Sequence, residues 1–372
     1  MNFNYSRQQR IALAAITTTK SLLTRRSAAL LLAAASPCPG WERPFYPGKS
    51  DLLYYLDARG NRHPARSLRD WSRRRAHILE GMQMVMGPLP ARSGKPRLET
   101  VEEHEEPLFT RRKIRYEAEA GDFVPAWLFL PKSSSSRARA AVCLHQTVRI
   151  GKDEPAGFGG KPNLRYAREL AGRGWVTIAP DYPNFGEYKI DVYAKGYHSA
   201  TMKGIVNHMR AVDVLLTLRQ VDPQRIAACG HSLGGHNALF LAAFDTRVRA
   251  AVTSCGFTSF PRYYGGDLTG WSHKGYMPRI AEVFGKSPER MPFDFPEILG
   301  LIAPRALFIN APVRDANFDV TGVRDCVRSA RAVYESIYRR PQALAVEYPE
   351  AGHDFPAEVR QRAYEFIERW LA

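Results

Sequence analysis

The chain has 372 residues, of which 45% are hydrophobic and 24% are charged, and its formal net charge is +16 at pH 7. These fractions are typical of a soluble globular protein. The positive charge is concentrated at the front, because residues 1–97 hold 17 Lys and Arg against 5 Asp and Glu. A nucleic-acid-binding protein more often carries its basic patch on the folded body, within a recognisable binding module. The sequence shows no such module, which argues against a nucleic-acid partner.

The first 35 residues have the pattern of a signal peptide. The pair Arg25-Arg26 precedes a short apolar run, and small residues end it at Ala33-Ala34-Ala35. A basic start, an apolar middle and a small-residue exit predict export, through a twin-arginine or a general secretory route. The apolar run is too short to span a bilayer, so we expect no integral membrane segment. A merely basic N-terminal tail is the alternative.

The five cysteines do not form a recognisable disulfide framework or zinc motif, because their number is odd and their spacing is wide. Cys143, Cys229 and Cys255 lie in apolar, strand-like runs, which is typical of cysteines that act as small buried hydrophobes. We therefore expect no metal ion.

Residues 36–107 are predicted to form an N-terminal extension with one helix. Residues 36–64 are rich in Pro, Gly and aromatic residues and look irregular. Residues 67–87 have the apolar spacing of a helix, which Pro88 ends. The Glu-rich run Val101–Glu106 is interpreted as a solvated connector.

From residue 108 the pattern changes, and it predicts one domain of alternating strands and helices over residues 108–372. Two strands, Lys113–Ala118 and Phe123–Leu130, form a hairpin, and apolar strands then alternate with helices. Such alternation predicts a mostly parallel sheet with antiparallel N-terminal strands and helices on both faces. The further strands are Ala140–Leu144, Trp175–Ala179, Arg225–Cys229, Ala250–Ser254, Ala306–Ile309 and Ala343–Tyr348. The helices are Asn163–Arg173, Ser199–Arg219, Leu233–Phe244, Val323–Tyr338 and Ala357–Leu371.

One segment, residues 258–296, interrupts this alternation. It is about forty residues long and rich in aromatic side chains. Connections of this length are usually lids or binding loops, so we expect an aromatic lid insertion, with a helix around Pro278–Phe284.

Ser232 is the candidate nucleophile. It is the centre of the pentapeptide Gly230-His231-Ser232-Leu233-Gly234, between a predicted strand and a predicted helix. A sharp strand-to-helix turn needs glycine on both sides and exposes the serine hydroxyl at the carboxyl end of the sheet. The alternative is a glycine-rich turn that happens to contain a serine.

The base and the acid are expected downstream, because in this architecture the order is serine, acid, histidine. His353 follows the last predicted strand and precedes the last helix, where the base belongs. The acid should follow the preceding strand, where Asp315 is favoured and Asp319 is the runner-up. For Asp319 the alternative role is a cap for the helix that starts near Val323.

An oxyanion hole needs two backbone N–H groups. One is expected from Leu233, directly after the nucleophile, and the other from Thr147 or Gln146, in the loop after strand Ala140–Leu144. Walker, dinucleotide and zinc-protease motifs are missing or wrongly placed, so we expect no cofactor.

With these residues the chain resembles the α/β-hydrolase superfamily, and within it the dienelactone-hydrolase and acetyl-xylan-esterase-like serine esterases. The runs LHQT, APDYPNFGEY, GHSLGGH, IAPRALFINAP and AGHDF carry this resemblance. It implies Ser232 as nucleophile, His353 as base and Asp315 as acid. Two departures stand out. Gln146 replaces the usual glycine of the oxyanion loop, and a dienelactone hydrolase proper has a cysteine nucleophile. The GHSLGG run also resembles prolyl-oligopeptidase catalytic domains, which carry a large propeller for which 372 residues leave no room.

The resemblance implies an exported serine esterase that cleaves carboxylic esters through an acyl-enzyme, with short-acyl esters of carbohydrates as the expected substrates. Trp271, Tyr264 and Tyr276 are candidates for stacking on a sugar or holding an acyl group, although aromatics in an insertion often pack only against one another. The alternatives are a peptidase or lipid esterase on the same triad, and a non-catalytic binding protein that keeps the fold. The oligomeric state stays open.

Overall fold

The structure is a computed structural model that describes residues 44–92, 94–132 and 137–372. The described residues belong to one compact unit. The predicted signal peptide, residues 1–35, lies outside them, as do residues 36–43 of the predicted extension. Export therefore stays a prediction.

The described chain contains one small and one large β-sheet. The strands are β1 (Tyr54–Leu56), β2 (Arg62–Pro64), β3 (Leu98–Glu105), β4 (Phe109–Glu119), β5 (Asp122–Pro131), β6 (Ala138–Leu144), β7 (Val176–Pro180), β8 (Val221–His231), β9 (Val248–Ser254), β10 (Ala306–Asn310) and β11 (Leu344–Glu347). Strands β1 and β2 form an antiparallel pair. The other nine form one sheet in the order β11-β10-β9-β8-β6-β7-β5-β4-β3.

The large sheet is mostly parallel. All pairs among β6 to β11 are parallel, whereas β7–β5, β5–β4 and β4–β3 are antiparallel. Residues of β7 and β10 are buried throughout, as expected for strands covered on both faces. The predicted fold class is confirmed, including the hairpin of β4 and β5.

Helices cover both faces of this sheet. They are α1 (Leu68–Met86), α2 (Asp153–Ala156), α3 (Tyr166–Gly172), α4 (Ala200–Thr217), α5 (Leu233–Phe244), α6 (Arg279–Glu282), α7 (Phe295–Ile302), α8 (Val320–Ala332) and α9 (Ala357–Trp370). Helices α3 and α9 share one apolar core with the strands. Helices α4 and α5 pack together and on the strands, and α7 packs on α5 and α8.

Two predictions about the N-terminal extension have different outcomes. The predicted helix is confirmed as α1, which begins with a capping box between Ser67 and Asp70. The interpretation of Val101–Glu106 as a solvated connector is wrong, because most of it lies in β3, which pairs with β4 at the edge of the large sheet. Charged side chains suit an exposed edge strand, so composition alone did not distinguish it from a loop.

A buried ion pair attaches the extension to the body. Arg74 of α1 donates to Glu297 of α7 at 2.6 Å, and both side chains are at most 1% exposed. The Arg74 guanidinium also lies 3.3 Å from the ring centroid of Tyr46. Glu297 in addition accepts the backbone N–H of Asp294 and so caps α7. The extension is therefore coupled to the helix that ends the insertion.

The insertion itself, residues 258–296, contains three short helical segments rather than one lid helix. They are Phe260–Gly266, Leu268–Trp271 and α6. The expected helix near Pro278–Phe284 is present as α6, but α7, which starts at Phe295, was not predicted. Within the described residues, no helix combines the length and apolar character needed to cross a bilayer.

We predict that Arg74→Met lowers the free energy of unfolding by about 3–5 kcal/mol, because the buried Glu297 carboxylate would lose the hydrogen bond and the positive charge of Arg74. Adding Glu297→Gln should restore part of this loss, since a neutral amide can still accept the Asp294 N–H. Urea denaturation followed by circular dichroism would measure both variants. A double mutant no more stable than Arg74→Met would contradict the assignment of the loss to the charge of the Glu297 carboxylate.

Candidate active site

Ser232 lies between the last residue of β8 and the first residue of α5. Its backbone has φ 54° and ψ −118°, and a positive φ is uncommon for any residue except glycine. The Ser232 N–H donates to the carbonyl of Ser254 at 2.8 Å, which ties the turn to the end of β9. Ser232 is half-buried, whereas the residues on both sides of it are buried. The predicted strained turn is therefore present, with its central serine the most accessible residue.

The glycines around Ser232 are required by backbone contacts. A Cβ atom on Gly234 would lie less than 3.0 Å from the carbonyl oxygen of Leu144, at the end of β6. A Cβ atom on Gly230 would lie less than 3.0 Å from the backbone of Gly234. Only glycine allows α5 to start this close to β8 and to the loop after β6.

His353 and Asp315 come together in the structure, although 38 residues separate them in the chain. The Nδ1 atom of His353 lies 3.0 Å from each carboxylate oxygen of Asp315. The Asp315 side chain is 2% exposed and that of His353 is 17% exposed. If Nδ1 carries the proton and donates it to Asp315, the lone pair of His353 is on Nε2, as a general base requires.

Asp315 stays ionised despite its burial. Burial acts to raise the pKa of its carboxyl, but the hydrogen bond and charge of His353 and the N–H of Asn317 outweigh it and hold the pKa below its ordinary value. The Asn317 N–H donates to Asp315 Oδ1 at 2.8 Å. A carboxylate in this position can orient the imidazole and stabilise it when it becomes protonated.

Asp319, the alternative acid, has a different role. Its Oδ1 atom accepts the backbone N–H of Thr321 at 2.7 Å and caps the N-terminus of α8. The helix-cap alternative therefore describes Asp319, and the structure brings Asp315 to His353. Spacing could not decide this, because both residues lie in the same loop after β10.

The loop that carries His353 is held on several sides. The backbone carbonyl of Asp354 accepts the side-chain amide of Asn310 at 2.9 Å and contacts the thiol of Cys255 at 3.3 Å. The Asp354 carboxylate accepts the amide of Asn163 at 2.7 Å. The imidazole of His353 lies 4.7 Å from that of His231, measured between ring centroids. His353 is therefore beside the residue that precedes Ser232.

The predicted oxyanion residues lie beside the same turn. Leu233 is the first residue of α5, so its N–H is one of those without a partner inside the helix. The Thr147 hydroxyl is 2.7 Å from the Tyr276 hydroxyl, which joins the oxyanion loop to the insertion. The Gln146 side chain instead donates to Glu154 at 2.9 Å.

His145 fixes the position of this loop. Its Nε2 atom accepts the backbone N–H of Tyr182 at 2.9 Å, so the proton must be on Nδ1, which lies 2.6 Å from the Gln146 carbonyl. Burial lowers the pKa of His145, which keeps the ring neutral. An ion pair also holds this loop, because Nζ of buried Lys152 lies 3.2 Å from a carboxylate oxygen of buried Asp181. No motif or spacing along the chain indicates this ion pair, because its two members lie in different loops.

The three aromatic residues proposed to bind substrate lie in different environments. Tyr276 contacts the oxyanion loop, as described. Tyr264 is 59% exposed, and its hydroxyl is 3.2 Å from Asn317 in the loop of Asp315. Trp271 is only 3% exposed and packs against Phe260 and Tyr263 of the insertion and against His236 of α5. In this conformation Trp271 has no free ring face, which corrects its prediction as a stacking residue. An insertion of about forty residues needs its own core, and the indole supplies part of it.

A group with metal-ligating side chains was not foreseen. His231, Cys255 and His353 place their ligand atoms within 4.8 Å of one another. The burial predicted for the Cys255 thiol is confirmed, but its neighbours are polar rather than apolar. No spacing pattern links these three residues, because they come from three different strand ends.

A mostly parallel sheet with a serine on a strand-to-helix turn and a His–Asp pair at the same edge defines an α/β-hydrolase. The family model of the prolyl oligopeptidase family matches residues 163–372, more than half of the chain. The chain therefore belongs to the prolyl oligopeptidase family, within the α/β-hydrolase class of serine hydrolases. The predicted α/β-hydrolase superfamily is confirmed. The chain length, which leaves no room for the large propeller of prolyl oligopeptidases, does not prevent the catalytic part from matching this family.

Known proteins show the same architecture. The chain is 25% identical over 316 residues to YtaP of Bacillus subtilis (strain 168), named as a hydrolase, covering 80% of this chain and 100% of YtaP. A glucuronoyl esterase from Solibacter usitatus superposes with a TM-score of 0.68 at 17% identity, covering 89% of this chain and 99% of that one. Acetyl xylan esterase 1 from Thermoanaerobacterium sp. JW/SL YS485 gives a TM-score of 0.56 at 15% identity, covering 80% and 93%. Sequence identities of 15–17% show a shared fold. The glucuronoyl esterase and the acetyl xylan esterase are both, by name, esterases.

We predict that Gly234→Ala lowers the free energy of unfolding by about 3 kcal/mol or more, because the added methyl group would overlap the Leu144 carbonyl. Gly48→Ala is the matched control, since no atom lies within 4 Å of the Cβ position there. That control should change stability by no more than about 0.5 kcal/mol. Chemical denaturation would measure both, and equal stability of the two variants would show that the close backbone contact at Gly234 is not obligatory.

Proposed function

We propose that the chain is an exported serine esterase in which Ser232 is the nucleophile, His353 the general base and Asp315 the orienting acid. The observation that carries this proposal is the His353–Asp315 pair, 3.0 Å apart, beside the strained turn of Ser232. A triad is recognised by the geometry and roles of its members, and their chain order here is serine, acid, histidine. The non-catalytic binding-protein alternative would have been favoured if Asp315 and Asp319 both lay out of reach of His353, whereas Asp315 lies 3.0 Å from it.

The chemistry would proceed in two steps. In the first, Ser232 Oγ attacks the ester carbonyl while His353 takes its proton, and the alcohol leaves with that proton as the acyl-enzyme forms. In the second, His353 takes a proton from water as the water oxygen attacks the acyl carbon, and Ser232 Oγ leaves and takes that proton back from His353, which releases the acid and restores the free enzyme. The N–H groups of Leu233 and of Thr147 or Gln146 would stabilise the oxyanion in both steps.

The substrate class is proposed to be short-acyl esters of carbohydrates. It is supported by the fold shared with a glucuronoyl esterase and an acetyl xylan esterase. Exposed Tyr264 and half-buried Tyr276, both on the insertion, are the aromatic side chains available to contact such a substrate. The predicted signal peptide and the lack of a bilayer-spanning helix among the described residues are compatible with action on a substrate outside the cytoplasm. The insertion would act as the lid over Ser232.

A peptidase is the second candidate, because the chain belongs to a family named for a peptidase. The same triad can cleave an amide if the leaving amine is protonated by His353. The two candidates differ in their substrates and not in the residues that perform the chemistry.

We predict hydrolysis of p-nitrophenyl acyl esters that is fastest for acetate and falls with chain length up to palmitate, and slow or no hydrolysis of aminoacyl p-nitroanilides. Ser232→Ala and His353→Ala should both abolish the acetate activity, because each removes a member of the triad. Preferential cleavage of the anilides would instead establish the peptidase. No turnover of either class, together with no labelling of Ser232 by a fluorophosphonate, would refute a serine hydrolase.

A second comparison tests the acid. Asp315→Asn should lower kcat by about ten-thousand-fold, because the amide would favour the wrong tautomer of His353. Asp319→Ala should leave kcat nearly unchanged and cost about 1 kcal/mol of stability, as expected for loss of a helix cap. Steady-state kinetics and thermal unfolding of both variants measure these effects, and a larger kcat loss in Asp319→Ala would reverse the assignment.

A further inference from the structure

Cys255 lies directly after β9, close to the proposed triad. Its φ is 48°, so this non-glycine residue is held in the left-handed region, and its N–H donates to the Asn310 carbonyl at 2.9 Å. The thiol is buried, 3.3 Å from the Asp354 carbonyl. A strained backbone persists only when its surroundings hold it in place, so the position of this sulfur is determined by β9, β10 and the loop of His353.

His231, the residue before Ser232, has one nitrogen atom that the fold does not use. The side chain is fully buried, and Nδ1 is 2.9 Å from the Ser254 hydroxyl. That hydroxyl also accepts the Asn310 side-chain amide at 2.8 Å. Nε2 has no hydrogen-bond partner among the described residues. A buried polar atom without a partner costs free energy, and a bound cation would satisfy this nitrogen.

We propose that His231, Cys255 and His353 form a binding site for a thiophilic divalent cation such as Zn²⁺. Two imidazoles and a thiolate are donors that Zn²⁺ prefers. The ligand atoms lie within 4.8 Å of one another, and bonds of about 2.0–2.3 Å to a central Zn²⁺ would bring them to less than about 4 Å. The side chains therefore need to move by about 1 Å.

The surroundings of these three residues suit a bound cation. The Ser254 hydroxyl holds the other nitrogen of His231, as partners of metal-binding histidines commonly do. The Asp315 carboxylate beside His353 supplies negative charge. Lys161 opposes the cation, since its ammonium group lies 3.3 Å from the His353 carbonyl. With three protein ligands, a fourth position would be open to water.

A cation bound at this site would inhibit the enzyme, and this part of the inference rests on the proposed function. A metal ion on Nε2 of His353 would occupy the lone pair that takes the serine proton. A metal ion on Nδ1 would displace the contact with Asp315. Either arrangement removes the general base, so the metal-bound form should be inactive while the metal-free form turns over.

Metal binding is tested independently of catalysis in a Ser232→Ala background, with Co²⁺ as the probe. Thiolate coordination produces an intense near-ultraviolet charge-transfer band, which should be lost in Cys255→Ser. In His231→Gln, affinity should fall by at least about tenfold. Cys326→Ser is the matched control, because its thiol is buried in α8, and it should keep the band. No band in the parent, or a band that persists in Cys255→Ser, would overturn the site.

Inhibition is tested with the wild-type enzyme and Zn²⁺ in p-nitrophenyl acetate hydrolysis. Zn²⁺ should inhibit, EDTA should restore activity, and Cys255→Ser should raise the inhibitory concentration by at least about tenfold. Equal inhibition of wild type and Cys255→Ser would overturn the inhibitory role. A Cys255-dependent Co²⁺ band in a protein without esterase activity would support the metal site and refute the proposed function, so the two failures are distinguishable.

Discussion

The close approach of the first turn of α5 to the end of β6 is the constraint on which the rest of the site depends. Because Gly234 lies against the Leu144 carbonyl, the chain must turn sharply at Ser232 and accept a positive φ there. The same approach brings the loop after β6 beside the N–H groups that begin α5. The proposed nucleophile and the expected oxyanion donors are therefore positioned by one backbone contact rather than by side chains.

The carboxyl ends of β8, β9, β10 and β11 complete the arrangement. Ser254 of β9 binds the N–H of Ser232 through its backbone and His231 through its hydroxyl, while Asn310 of β10 joins Ser254 to the loop of His353. Neighbouring parallel strands end at the same edge, so residues distant in sequence meet without long loops. This polar network contacts the loop that carries His353 and the backbone of Cys255, and so holds both in place. The proposed base and the proposed metal site thus share one support.

The parts outside the central sheet attach to it through specific pairs. Arg74 and Glu297 join the N-terminal helix to α7, and Tyr276 and Thr147 join the insertion to the oxyanion loop. The insertion has its own aromatic core around Trp271, which makes it a packed element rather than a loose loop. A shared fold does not determine the substrate, so we expect such peripheral elements to contribute to substrate choice.

Local patterns in the sequence were sufficient for strands β4 to β11, for most of the long helices, for the turn at Ser232 and for the loop of His353, because each depends on hydrophobic periodicity or on glycine at a sharp turn. Tertiary structure decided the rest. Asp315 and Asp319 have the same local context, and only the path of the loop after β10 brings one of them to His353. Burial of Trp271 and pairing of the charged strand β3 depend on partners distant in the chain. His231, Cys255 and His353 meet because three strands end at one edge, and no spacing along the sequence records that meeting.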